Sequence, residues 1–190
     1  MATVRDGSQG VLLVVDVQVG VVAQAWDAQR VVGNVARSVE RARAQGIPVL
    51  WVQHGDDDLP EGSPQWAWVP QLVPAAGEPQ IRKKYNSAFE QTPLDDELAR
   101  LGATHITLAG AASNWCIRAT AYGALERGYD LTLVRDAHTT GTMELEGGKT
   151  IPASAIVDEL NVAMTWLSYP GRRNGTAPAE TVDFTRPGGE

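Results

Sequence analysis

His105-Ile106-Thr107-Leu108-Ala109-Gly110-Ala111-Ala112-Ser113-Asn114-Trp115-Cys116 is the stretch whose reading decides the fold. Residues 105–109 form a short, nearly continuous apolar run. Such a run reads as a strand covered on both faces, as in a parallel sheet, rather than the alternating strand of a half-solvated one. Small residues follow at 110–114. A helix is then predicted from about residue 115 to residue 127, closed by Gly128. Strand, tight loop and helix together make half of a βαβ unit.

Working outward, residues 11–15, 47–53 and 131–134 are runs of the same kind, and a shorter strand lies near 80–82. Helices fall between them. Val31, Val35, Val39 and Ala42 make one apolar stripe, with Arg37, Glu40, Arg41 and Arg43 on the remaining surface. Gly46 and Pro48 end that helix. Further helices are predicted at about 93–101, opened by Pro93 and closed by Gly102, and at about 154–167. The alternation implies right-handed crossovers and an α/β fold. We expect a three-layer α-β-α sandwich with a mostly parallel, about six-stranded central sheet, as one domain over 1–190. Residues 55–79, rich in Pro, Gly, Asp and Trp, read as a long functional loop. Residues 143–151 carry Glu146-Gly147-Gly148-Lys149, a hairpin turn. The polar stretch 169–190 reads as an extended C-terminal tail, frayed or docked on a partner, and Asn174-Gly175-Thr176 within it as a polar turn.

Composition excludes several functions. A net charge of −7 over 190 residues leaves no basic surplus for a nucleic-acid partner or an anionic membrane surface. No apolar run approaches the ~18 residues of a membrane span, and the first ten residues lack a secretory layout. A single cysteine forms no internal disulfide, which together with the missing leader suits a reducing cytoplasm.

In open parallel sheets, ligands bind beyond the carboxyl ends of the strands. Asp16 stands at one such end, Lys83-Lys84 at another, and Cys116 after the 105–109 strand. Taken singly, each has a bland reading: a loop-capping carboxylate, a solvated lysine pair, a buried small hydrophobe. Position favours the cysteine as a reactive group. In the first turn of a helix, unpaired N–H groups and the dipole favour an anion and would lower the thiol pKa from ~8.5. A nearby carboxylate could take the thiol proton, and the same N–H groups could face an oxyanion.

These residues resemble the isochorismatase-like cysteine hydrolases. Val14-Val15-Asp16-Val17-Gln18 is similar to the family's first motif. Lys83-Lys84-Tyr85-Asn86-Ser87-Ala88-Phe89, with Thr92 and Leu94, is similar to its lysine motif. Gly110 to Cys116, continued by Ala119-Thr120-Ala121, Ala124, Gly128-Tyr129 and Asp136-Ala137, is similar to its nucleophile loop. The three motifs occur in order over about residues 10–167. The resemblance implies a triad of Asp16, Lys83 and Cys116, Lys83 being preferred to Lys84 because it stands six residues before Phe89. It also implies a cis peptide at Ala111–Ala112, an oxyanion hole of the Ala112 and Cys116 N–H groups, and a homodimer or homotetramer. Some members hold a metal through an Asp-x-His cluster after the second strand. Here that stretch reads Gln53-His54-Gly55-Asp56-Asp57-Asp58 with one His, so neither metal nor cofactor is expected. Ser113 stands where Thr is common. Members lacking the cysteine cleave an ether, so Cys116 implies hydrolysis of a small amide, carbamoyl, ureido or lactam C–N bond.

Gln18, Trp26, His54, Asn86 and Trp115 are expected to line the substrate pocket, with Trp66 and Trp68 either nearby or packing the long loop onto the core. His138, after the last strand, could reach the rim or serve as a structural hydrogen-bond partner. No Gly-x-Gly-x-x-Gly, Walker loop or Gly-x-Ser-x-Gly elbow is present, which disfavours dinucleotide, phosphoryl-transfer and serine-esterase chemistry. A catalytically silent family member that binds a ligand or partner is the competing reading.

Overall fold

The computed structural model describes residues 2–186. In chain order its regular elements are β1 (Gln9–Val15), α1 (Val19–Val22), α2 (Ala28–Ala44), β2 (Val49–His54), β3 (Gln80–Lys83), α3 (Leu94–Arg100), β4 (Ala103–Ala111), α4 (Arg118–Glu126), β5 (Asp130–Thr139), β6 (Met143–Glu144), β7 (Thr150–Ile151), α5 (Ala153–Trp166) and β8 (Asn174–Ala177). Six strands form a central sheet in the order β3-β2-β1-β4-β5-β8, every neighbouring pair parallel. All nine residues of β4 are buried, as a strand covered on both faces must be.

Side chains leave a strand alternately to its two faces. Along β1, Val11, Leu13 and Val15 enter one core with Leu98 of α3, Leu125 of α4 and Leu160 of α5. Leu12 and Val14 enter the other with Val31, Val35 and Val39 of α2. The apolar stripe of α2 thus faces the sheet. From β1 the sheet grows outward through β2 and β3, then resumes on the other side with β4. The carboxyl ends of β1 and β4 flank that reversal, the place where an open parallel sheet offers a crevice. The short β6–β7 hairpin turns on Gly147 and Gly148, both at positive φ. Among the described residues, no helix is long and apolar enough to cross a membrane.

The expectation of an extended tail from residue 169 is corrected. Asn174–Ala177 is β8, paired to Leu131–Val134 of β5, so the proposed polar turn is the sixth strand. Asn174 donates two hydrogen bonds, to Met164 O and Leu167 O, closing the end of α5. Beyond it Ala179, Val182 and Phe184 are buried in the α2 core. Arg41 of α2 donates to Ala179 O and Val182 O, with its guanidinium 5.9 Å above the Phe184 ring. A Cβ on Gly10 would lie 1.7 Å from Phe184 O, so only glycine lets β1 pass this segment. The strand is too short and too polar to announce itself, and the apolar residues that seal it are widely spaced. Residues 187–190 of the expected tail lie outside the described residues.

Two histidines lie inside the sheet layers. His105 bridges Phe184 O and Thr132 Oγ1. His138 Nδ1 lies 2.8 Å from Ser113 Oγ and its Nε2 3.0 Å from Asn161 Oδ1. Burial disfavours the imidazolium in both; it holds His105 below its ordinary range and His138 down to about 4.

Two predictions follow from this packing. Phe184→Ala should cost about 3–5 kcal/mol in urea unfolding, as for a core aromatic; a loss under ~1 kcal/mol would return the segment to the status of a tail. Between the ordinary histidine pKa of 6.5 and about 4, unfolded chains take up a proton at residue 138 that the native fold refuses. Stability should therefore fall as pH drops through that window, by about 3 kcal/mol from this residue. Urea midpoints measured from pH 7 to 4 should fall less steeply in His138→Gln; an unchanged slope would contradict the assignment.

Candidate active site

Three strands deliver the reactive side chains to one place. Asp16 follows β1 directly, at φ +54°, with its N–H bonded to Val52 O at 2.9 Å. A left-handed aspartate costs about 1–3 kcal/mol and turns the chain sharply out of the sheet. Next to it, a Cβ on Gly110 would sit 1.9 Å from Val15 O, and Gly110 has φ +135°. Only glycine lets β4 end this close to β1. Lys83 is the last residue of β3, in register with His54 of β2. Cys116 lies in a π-helical turn, Ser113–Ile117, that precedes α4. Here the predicted helix differs: one carbonyl, Ala112 O, accepts from both Trp115 N and Ile117 N, at 3.0 and 3.1 Å. The Ala111–Ala112 peptide is cis.

The Lys83 ammonium is the hub. Its Nζ lies 2.7 Å from Asp16 Oδ2 and 3.2 Å from Cys116 Sγ. It also lies 3.1 Å from Tyr85 O and 3.4 Å from His54 Nδ1. Three N–H groups thus face four acceptors. Both side chains of the ion pair are withdrawn from solvent, Lys83 at 0% and Asp16 at 1% exposure.

Burial pushes the Asp16 carboxyl above its ordinary range, opposed by Lys83. The Cys116 thiol is pushed up to about 12, first by burial and then by the Asp16 charge, with Lys83 pulling the other way. This corrects the expectation that a helix start lowers the thiol pKa. Cys116 is the fourth residue of a π turn, and the nearest anion is a carboxylate on the sheet. The resting site therefore holds a thiol beside a lysine–carboxylate pair. Such a set can pass a proton from sulfur to carboxylate when sulfur forms a bond, while the ammonium offsets the charge that develops.

The expected pocket residues divide. Asn86 Oδ1 stands 4.0 Å from Cys116 Sγ, and Trp115, 53% exposed, adjoins the nucleophile turn. His54 reaches Lys83 on one side and Asp56 Oδ2 at 2.7 Å on the other. Trp26, 40% exposed, is held at the strand ends through its backbone, by Thr139 Oγ1 and Thr140 O. Gln18 is corrected: it is fully buried, donating to His54 O and Trp66 O and accepting from His54 N. It clamps the long loop to β2. Trp66 and Trp68 pack that loop, Trp66 under Arg82 at 4.3 Å and Trp68 edge-on to Trp51 at 5.1 Å. Sequence reasoning missed the Tyr85 carbonyl, a backbone group with no residue-type signal, and Asn161, whose partner lies across two elements. Among the described residues, no group of three His, Cys, Asp or Glu side chains is placed to hold a metal ion.

Comparison with known proteins agrees with this architecture. The family model described as Isochorismatase domain matches residues 10–149. A streptothricin hydrolase from Streptomyces noursei is 37% identical over 153 residues, covering 75% of this chain and 60% of that protein. A maleamate amidohydrolase from Pseudomonas putida is 32% identical over 131 residues, covering 67% and 60% respectively. The chain thus spans about 60% of the length of these curated relatives. The crystal structure of an isochorismatase from Pseudomonas putida superposes with a TM-score of 0.80 at 28% identity, covering 91% of this chain and 89% of that one. The chain belongs to the isochorismatase family.

Proposed function

We propose that this protein is a cysteine-dependent amidohydrolase that cleaves a C–N bond of a small amide, carbamoyl, ureido or lactam compound through a thioester on Cys116. The observation that carries the reading is the Lys83 ammonium shared between Asp16 Oδ2 and Cys116 Sγ, at 2.7 and 3.2 Å. The relative named maleamate amidohydrolase supports the same bond class.

The thiol pKa sets the order of events. With the thiol pushed up to about 12, little thiolate stands ready at neutral pH. Proton transfer to Asp16 therefore accompanies formation of the S–C bond. Backbone N–H groups of Ala112 and Cys116 receive the oxyanion, and Lys83 offsets the negative charge on the sulfur side. Collapse breaks the C–N bond as Asp16 returns the proton to the leaving nitrogen. Water, deprotonated by Asp16, then attacks the thioester carbonyl and releases the acid, and the proton goes back to sulfur. Trp115 and Asn86 border the space a substrate would enter; His54 acts on Lys83.

A panel of small amides, ureido acids and lactams, assayed for ammonia or amine release, tests the reading. Cys116→Ala and Cys116→Ser should each reduce hydrolysis at least ~10³-fold without altering the fold. Turnover near the wild-type rate in Cys116→Ala would refute the mechanism.

A further inference from the structure

The turn that carries Cys116 has backbone bonds of its own, from Trp115 N and Ile117 N to Ala112 O and from Arg118 N to Ser113 O, and regular α-helix begins only at Arg118. Side chains hold it as well. Its side-chain anchors come from the tip of β5. Gly110 pairs with His138 in the sheet register, so His138 lies beside the start of the turn. Ser113 Oγ is 2.8 Å from His138 Nδ1, and both side chains are fully buried. Thr140 Oγ1 donates to Asn114 Oδ1 at 2.6 Å. Two residues of β5 and its continuation thus grip the first two residues of the turn.

The direction of the His138 bonds can be worked out. Asn161 Nδ2 donates to Arg135 O at 3.0 Å, so its Oδ1 is the atom facing His138 Nε2, 3.0 Å away. Nε2 therefore carries the proton, and Nδ1 accepts from the Ser113 hydroxyl. A chain of bonds runs from β5 through Asn161 of α5 and His138 to Ser113, every donor matched to an acceptor. Ser113 and His138 are fully buried, so breaking the bond between them costs a partner that water does not replace. Helix α5 thus reaches the turn through the His138 ring.

The geometry points to His138 and Ser113 as positioning residues for the nucleophile: their buried hydrogen bond, oriented by Asn161, holds the Ser113–Ile117 turn so that Cys116 Sγ stays against Lys83 and Asp16. The inference rests on the proposed cysteine chemistry for its catalytic consequence, though not for its structural one. A bland role, docking α5 on the sheet, would cost stability alone.

The test uses the full chain, with thermal unfolding as control and two readouts well below the melting temperature. One is kcat and KM on an amide from the screen. The other is the rate at which iodoacetamide alkylates Cys116, the protein's single cysteine, which needs no substrate. Ser113→Ala and His138→Gln should each lower kcat by roughly 10–100-fold with KM within about threefold, the scale of a misplaced reacting group. Each should speed alkylation several-fold, because a released thiol escapes the burial and the Asp16 charge that suppress it. Ser113→Thr, which keeps the hydroxyl, should hold both readouts within about threefold of wild type. The inference is overturned if folded Ser113→Ala and His138→Gln keep both readouts within about twofold and lose only thermal stability. It is also overturned if Ser113→Thr behaves like Ser113→Ala. Should no amide be turned over, or should Cys116→Ala retain turnover, the hydrolytic reading fails on its own and the alkylation rates alone decide the positioning.

Discussion

The site depends on one costly arrangement, an ammonium and a carboxylate buried together at the carboxyl edge of the sheet. Taking Lys83 and Asp16 out of water costs several kcal/mol per ion, and only close pairing with further hydrogen bonds offsets it. The fold supplies that pairing by convergence of three strands. Asp16 leaves β1 in a left-handed conformation, Lys83 ends β3, and the bare backbone of Gly110 lets β4 deliver the nucleophile loop beside Val15. Gln18 clamps the long loop to β2, and Val17 O and Ala67 O exchange bonds with Val69 N and Val19 N, so the loop shields the pair from solvent. These features read as isolated oddities until the ion pair is seen as their common purpose.

Cys116 inherits its character from that pair. The thiol is surrounded by an ammonium that favours its anion and by burial and a carboxylate that disfavour it more strongly. The resting protein therefore holds Cys116 as a thiol, with a carboxylate and an ammonium beside it. A thiol kept this way is spared much of the oxidation and alkylation that follow thiolate character.

Much of the fold was legible because its signals are local. Four buried strands declared themselves by continuous apolar runs, α2 by a single stripe, and α3 and α4 by their closing glycines, Gly102 and Gly128. β8 did not, because Asn174-Gly175-Thr176-Ala177 has no apolar pattern and gains its place only by pairing with β5. Asp16, Lys83 and Cys116 were readable as strand-end residues, and the structure brings them together. Gln18 was misread because a glutamine next to a reactive aspartate looks like a ligand, whereas three backbone groups claim its amide. The thiol pKa was misread for a related reason: the sequence shows a helix start but not the carboxylate and the burial that outweigh it. His138 sits between these cases, its two roles separable only once Ser113 and Asn161 are seen on either side of its ring.

Burial first, and the Asp16 carboxylate second, keep Cys116 protonated against the pull of Lys83 and of the helix start. The direct measurement is a pH titration of the ultraviolet thiolate absorbance, taken as a difference against Cys116→Ser, in the wild type, Asp16→Asn and Lys83→Met. No thiolate is expected in the wild type at the pH where free cysteine ionises, ~8.5. The midpoint should move down in Asp16→Asn, where the repelling carboxylate is gone, and up in Lys83→Met. A wild-type midpoint below ~8.5, or a midpoint that rises in Asp16→Asn, would show that burial and Asp16 do not hold the proton on sulfur.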